Sequence, residues 1–222
     1  MKIKEYLYTF PTGLLWRING FVSTRLRKKK FNQFMNLFAP TKITSILDVG
    51  PYGGKEFDNY TPVNYLERWY PYKNKITALS IEDVSRLQKA FPEVNVVMYE
   101  GGTFPFSKKE FDIAFSNAVV EHVGNRDAQK EFILEMLRVA KSVYITTPNR
   151  WFFLEAHTLI PFIHWLPSNV YRGMLKKLGL KYWAEEKNLN LLSPWSISLL
   201  LGREKGIKIW WRPWNPNIVI IK

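Results

Sequence analysis

The chain has no cysteine and only three histidines, His122, His157 and His164. The first absence excludes a disulfide framework, a cysteine-ligated zinc site and a thiol nucleophile. The second argues against a histidine-rich metal site, and no metal is expected. No apolar run reaches the ~18–20 residues that a membrane-spanning helix needs. Residues 1–20 lack the apolar stretch and small-residue cleavage site of a signal peptide, so the start reads as mature protein. The expected compartment is the cytoplasm, with contact to a membrane surface left open. Acidic residues are scarce, 19 against 32 Lys and Arg, for a net charge of +13.

What is present describes a folded chain. Its 222 residues are 46% hydrophobic and 23% charged, which suits one domain of ordinary to large size with a real core. The charge is unevenly spread. Residues 1–42 hold nine bases and one acid, residues 43–150 hold thirteen and fourteen, and residues 151–222 hold ten and four. A balanced middle between two basic flanks is unlike a protein whose core face grips a polyanion, so nucleic acid is not the expected partner.

The middle alternates between strand and helix patterns. Ile43–Val49 reads as a buried strand running into a Gly-Pro-Tyr-Gly-Gly turn that ends at Gly54. Lys75–Ile81, Val94–Tyr99, Phe111–Phe115 and Ser142–Thr147 read as four more strands, the last stopped by Pro148. Asp83–Phe91 reads as a helix with Asp83 as N-cap. Arg126–Ala140 is amphipathic, with Phe132, Ile133, Met136, Leu137 and Ala140 on one face. Ser193–Arg203 reads as a helix, and Ile207–Trp211 and Asn217–Ile221 as closing strands. The first forty residues look helical and carry the basic run Arg25–Lys30. Residues 151–183 differ in character: eight of the 33 are aromatic, and Pro161 and Pro167 interrupt them.

This spacing predicts an α/β fold with a mostly parallel sheet and helices on both faces. Ligands of such sheets bind beyond the carboxyl ends of the strands. Those ends carry most of the unusual residues: Asp48–Gly54, Ser80–Asp83, Tyr99–Gly102, Ser116–His122 and Thr147–Arg150.

Five pieces in order carry a resemblance. They are Asp48-Val49-Gly50 after the first strand, Glu100 after the third, Pro105-Phe106, Phe111-Asp112, and Ser116 with Glu121-His122 after the fourth. Residues 43–150 thereby resemble the class I S-adenosylmethionine-dependent methyltransferases, in the small-molecule branch of the family 11 type. The resemblance implies a Rossmann-like, doubly wound, seven-stranded sheet. It implies S-adenosyl-L-methionine as cofactor and S-adenosylhomocysteine as product. Residues 43–222 would form the methyltransferase domain, residues 151–205 its cap, and residues 1–42 a basic helical extension. Thr147–Pro167 is also similar to a segment in a subset of these enzymes associated with surface-glycan or secondary-metabolite pathways.

By that resemblance Asp48, Gly50 and Gly53 lie at the amino-acid end of the cofactor. The usual Gly-x-Gly is replaced here by Gly50-Pro51-Tyr52-Gly53, and Pro51 has no N–H to give. Ser80 stands where an acid normally holds the ribose hydroxyls, with Glu82 two residues on as a substitute. Glu100 receives the adenine amino group beside Gly101. Asn117, followed by Ala118, lies near the reactive methyl. Glu121-His122 braces the next helix. Glu155 and His157 are the candidate base for a hydroxyl acceptor, with His164 next, and Asn149 orients the acceptor or holds the Pro148 turn.

The expected activity is methyl transfer to a small-molecule or lipid- or glycan-linked acceptor, with oxygen as the expected acceptor atom. The aromatic segment and the basic run, which suit a membrane boundary and an anionic leaflet, suggest the lipid-linked acceptor. Two alternatives stay open: an RNA methyltransferase, motivated by the net charge, and an inactive methyltransferase-like scaffold, motivated by Pro51 and Ser80.

Overall fold

The computed structural model describes residues 14–53, 63–202 and 204–222. Residues 1–13 of the expected extension, Gly54 of the first turn and Arg203 of the last helix lie outside the described residues. The chain forms two compact units. One runs to Gly101 and includes Phe111–Ile113; the other comprises Gly102–Glu110 and Ala114–Lys222. The strands make a seven-stranded sheet in the order β3-β2-β1-β4-β5-β7-β6. They are β1 (Ile46–Val49), β2 (Ile76–Ser80), β3 (Asn95–Met98), β4 (Phe111–Asn117), β5 (Ala140–Pro148), β6 (Lys208–Trp210) and β7 (Asn217–Ile221).

In the first unit β1 pairs parallel with β2, and β2 parallel with β3. All four residues of β1 are buried, as are four of the five in β2, so both faces are covered. That is why these strands read as continuous apolar runs. Asp48 pairs with Ala78 and Val49 with Leu79, which brings the two strand ends level. Helix α1 (Leu14–Phe38) buries Phe31 and Phe34, and Phe31 meets Trp69 of the short helix α2 (Tyr65–Trp69) edge-on. The basic run is partly occupied on this face. Lys28 Nζ sits 4.7 Å above the Trp69 ring and Lys30 Nζ 5.8 Å from the Tyr65 ring. Helix α3 (Ser85–Ala90) starts two residues later than the sequence pattern suggests. The Asp83 carboxylate accepts the Ser85 N–H at 2.9 Å, so it closes a turn just before the helix and does not cap it.

In the second unit helix α4 (Arg126–Val139) buries Phe132, Ile133, Met136 and Leu137. Each such side chain contributes about 1.5–3 kcal/mol. Asn125 caps it by accepting the Ala128 N–H. β5 pairs antiparallel with β7, which pairs antiparallel with β6. Pro148 is the last paired residue of β5, opposite Asn217, where the ladder no longer needs its missing N–H. Helix α6 (Pro194–Leu201) has Pro194 in its first turn and a capping box formed by Ser193 and Ser196.

The cap segment has its own core. Tyr171 and Leu175 of helix α5 (Ser168–Lys177) pack with Leu180, Ala184, Leu189 and Leu191, and Trp183 lies against them. Four of its other aromatics face outward: Trp151, Phe153, Phe162 and Trp165 are each more than 40% exposed. Among the described residues, no helix is long and apolar enough to cross a membrane.

Candidate active site

The first unit holds the strand-end residues. Asp48 is buried at the end of β1, and its carboxyl lies near enough to the buried Glu67 carboxyl on α2 for the two to interact electrostatically. Burial raises both acids, Asp48 well above the carboxylate range, and the neighbouring Glu67 charge adds to the rise at Asp48. Two buried carboxyl groups this close disfavour double ionisation, so the pair keeps a proton to higher pH than a solvated carboxyl would.

Past Asp48 the chain turns at Gly50, whose φ of 78° is a left-handed conformation that glycine adopts without strain. The Gly50 N–H donates to the Leu79 carbonyl at 2.9 Å. Pro51 has no N–H, and the Tyr52 N–H donates to Asn64 Oδ1 at 2.8 Å. Asn64 Nδ2 returns a bond to the Tyr52 carbonyl at 2.9 Å. The amides of residues 50–52 are thus committed inside the protein, and Gly50 serves the turn through its conformation. Gly53 passes directly over the loop after β2: a Cβ there would lie 2.3 Å from the Asp83 carbonyl oxygen. Only glycine permits that approach.

Ser80 is buried at the end of β2, and its Oγ accepts the Glu82 N–H at 3.0 Å. The Glu82 and Glu100 side chains are exposed. Gly101 and Gly102 both have positive φ, 94° and 74°, in an open exposed loop.

The second unit holds the remaining candidates. Asn117 Oδ1 accepts the Thr146 hydroxyl at 2.8 Å. Ala118, the next residue, has φ of 57°, a strained value for a residue with a Cβ. Asn149 is buried and fully engaged. Its Nδ2 donates to the carbonyls of Arg212 and Asn215 at 3.2 and 3.0 Å, and its Oδ1 accepts the Trp151 N–H at 3.0 Å. Of the two roles expected for it, the structure displays the turn-holding one.

Glu155 and His157 are brought together. Glu155 Oε1 accepts the His157 N–H at 3.0 Å and its Nδ1–H at 2.8 Å, while Oε2 accepts the Thr158 N–H at 2.6 Å. Burial alone would raise Glu155, but these donors and the His157 charge hold it down at about 2. Burial alone would lower His157, and Glu155 outweighs it, so the ring is raised. His164 lies apart. It is buried, donates through Nε2 to the Phe152 carbonyl at 2.7 Å, and is lowered by burial.

Sequence reasoning assigned His122 to bracing and missed its partner. His157 Nε2 lies 3.1 Å from His122 Nε2, and the rings stand perpendicular with centroids 4.8 Å apart. His122 Nδ1 donates to the Asn188 carbonyl at 2.6 Å. Glu121, fully buried, accepts the Thr147 hydroxyl through Oε2 at 2.9 Å. Gln129 holds this corner from α4, donating to the carbonyls of Val120 and Asn190 at 3.0 and 2.7 Å. The available signal was a glutamine on the apolar face of α4, three residues before Phe132.

Residues 47–143 match a family described as a methyltransferase domain. No curated protein matches the sequence. Among solved structures, a SAM-dependent methyltransferase from Aquifex aeolicus is 17% identical, with a TM-score of 0.50 over 90% of this chain and 96% of that one. A SAM-dependent methyltransferase from Thermotoga maritima is 14% identical, with a TM-score of 0.54 over 96% of each chain. A Haemonchus contortus phosphoethanolamine N-methyltransferase, solved with S-adenosylhomocysteine, is 14% identical, with a TM-score of 0.50 over 82% of this chain and 38% of that one. The parallel β1–β3 ladder, the glycine turn after Asp48 and the family match lead to one conclusion: residues 47–143 carry a methyltransferase domain, on a fold shared with solved S-adenosylmethionine-dependent methyltransferases.

Proposed function

We propose that the protein transfers the methyl group of S-adenosylmethionine to a hydroxyl of a small-molecule or lipid- or glycan-linked acceptor. The observation that carries this reading is the family match over residues 47–143, which opens on the Asp48–Gly53 turn. In this reading Asp48, Gly50 and Gly53 hold the amino-acid end of the cofactor. Ser80 and Glu82 attend the ribose, Glu100 and Gly101 the adenine, and Asn117 the methyl end.

The reaction breaks the sulfonium C–S bond and forms a C–O bond, and the hydroxyl proton must go to a base. Positioning supplies much of the rate, about 7–11 kcal/mol in well-aligned intramolecular reactions. His157 takes the proton role, with Glu155 fixing its ring by accepting the Nδ1–H. Asn149 holds the turn at the carboxyl end of β5. The exposed Trp151, Phe153, Phe162 and Trp165 favour an amphiphilic acceptor, since apolar patches of this kind mark ligand or membrane contacts. The basic residues of α1 that remain exposed, Arg25 and Lys29 among them, would add contact with an anionic leaflet from the cytoplasmic side.

The test is a thermal shift with S-adenosylhomocysteine and S-adenosylmethionine, with ATP as control. Ligand at a hundred times its Kd adds about 2.7 kcal/mol, which for a chain of this size raises Tm by about 5–10 °C. A rise with both S-adenosyl compounds and none with ATP supports the reading. A second reading, a catalytically inactive methyltransferase-like scaffold that does not hold the cofactor, is favoured by the Ser80 hydroxyl and the Gly50 amide being used within the protein. Absence of any shift in folded protein would select it.

A further inference from the structure

The two imidazoles at His122 and His157 are oriented as metal ligands are. A carbonyl only accepts, so the bond to Asn188 requires the proton of His122 on Nδ1. The bond to the ionised Glu155 carboxylate does the same for His157. In the neutral rings both Nε2 lone pairs then face each other at 3.1 Å. That arrangement is repulsive unless a cation lies between them. Histidine ligands characteristically donate their second N–H to a carboxylate or a backbone carbonyl, and these two use one of each.

A third group converges on the same point. Glu121 Oε1 lies 3.9 Å from His122 Nε2, in a fully buried side chain, and has no hydrogen-bond partner among the described residues. Its other oxygen is held by Thr147. The ligand atoms of Glu121, His122 and His157 all lie within 4.8 Å of one another. A proton between the rings would account for the two nitrogens and leave the buried Glu121 oxygen unanswered. A divalent ion answers all three. Zn–N bonds of about 2.0–2.1 Å at a tetrahedral angle put two ligand nitrogens roughly 3.3 Å apart, close to the separation seen.

We propose that Glu121, His122 and His157 bind one divalent transition-metal ion, zinc being the best chemical fit, with a fourth position left for water or an acceptor oxygen. The His122 side chain is 33% exposed, so the site can be reached from solvent. The ligand set stands by itself. Only its consequence deepens the methyl-transfer reading: an ion there would promote loss of the acceptor hydroxyl proton, in place of His157 acting as base.

The test uses the whole chain, stripped with chelator and titrated with Co²⁺ as a spectroscopic probe and then with Zn²⁺ as competitor. Expected are one equivalent of Co²⁺ with visible ligand-field bands, their loss on adding Zn²⁺, and a Tm raised by about 5–10 °C at a hundredfold excess over Kd. His122→Gln, at the most exposed ligand, should abolish the bands. Glu121→Gln and Glu155→Gln should each weaken binding about 10–100-fold. No bands and no Zn²⁺-dependent Tm rise in the folded wild-type chain would overturn the site, as would binding that persists undiminished in His122→Gln and Glu121→Gln. The S-adenosylhomocysteine shift, measured on the same metal-free protein, keeps failure of the metal site separate from failure of the methyltransferase reading.

Discussion

Asp48 and Glu67 meet as two buried carboxyl groups, one ending the first strand and the other fully enclosed on the helix that follows the glycine turn. Their pKa values are raised in the folded state, so the native protein holds protons that the unfolded chain has released. Stability from this pair is therefore fully present below the ordinary carboxylate range and is lost as pH rises through the raised values. Tm followed from pH 4 upward should decline across that window. Glu67→Gln, which keeps a polar side chain and removes one acid, should flatten the decline. An unchanged slope in Glu67→Gln would place its cause elsewhere.

Gly53→Ala should disrupt two loops at once. The new Cβ would lie 2.3 Å from the Asp83 oxygen and 3.2 Å from Val84 Cγ1, so backbone must move. Overpacking of this kind costs about 1–3 kcal/mol. Urea unfolding should show that loss, together with weaker binding of S-adenosylhomocysteine. Gly101→Ala meets nothing within 4 Å and pays only for its left-handed backbone, about 1–2 kcal/mol.

Ser80→Asp tests the departure at the ribose position. An aspartate there can still accept the Glu82 N–H now bound by Ser80 Oγ, and it adds a charged acceptor. Charge-assisted bonds contribute roughly 1.5–3 kcal/mol, so isothermal titration should show S-adenosylhomocysteine binding at least about tenfold tighter. Equal or weaker affinity would mean that Ser80 does not face the ribose.

Asn149→Ala should lower stability by about 1–3 kcal/mol, because it strips two carbonyls and one amide of their partner. Asn149→Asp should cost more, since a carboxylate would face the Arg212 and Asn215 carbonyl oxygens. Cofactor affinity should stay unchanged in whichever variant remains folded. A loss of turnover without loss of Tm would restore the acceptor-orienting role.

Local patterns made much of the fold legible. The apolar runs at Ile46–Val49 and Ile76–Ser80 are buried on both faces, and such strands need no alternation to be recognised. The heptad-like face of α4 and the boundaries of β7 follow directly from residue order. The start of α3 was misplaced because Asp83 can serve a turn as readily as a cap. The pairing of Glu155 with His157 was readable because the two residues are two apart.

The sequence by itself determined the order of the strands and of helices α1, α3, α4 and α6, the glycine turn after Asp48 and the candidate cofactor residues, because periodicity and turn chemistry are local; the short α2 and the cap helix α5 it did not. The tertiary structure alone decided that Glu67 meets Asp48, that His122 meets His157 across 35 positions, and that Asn188 orients the ring. Those contacts depend on how an aperiodic segment folds back on itself. They are stabilised by burial and by the matching of donors to acceptors, which no spacing along the chain records.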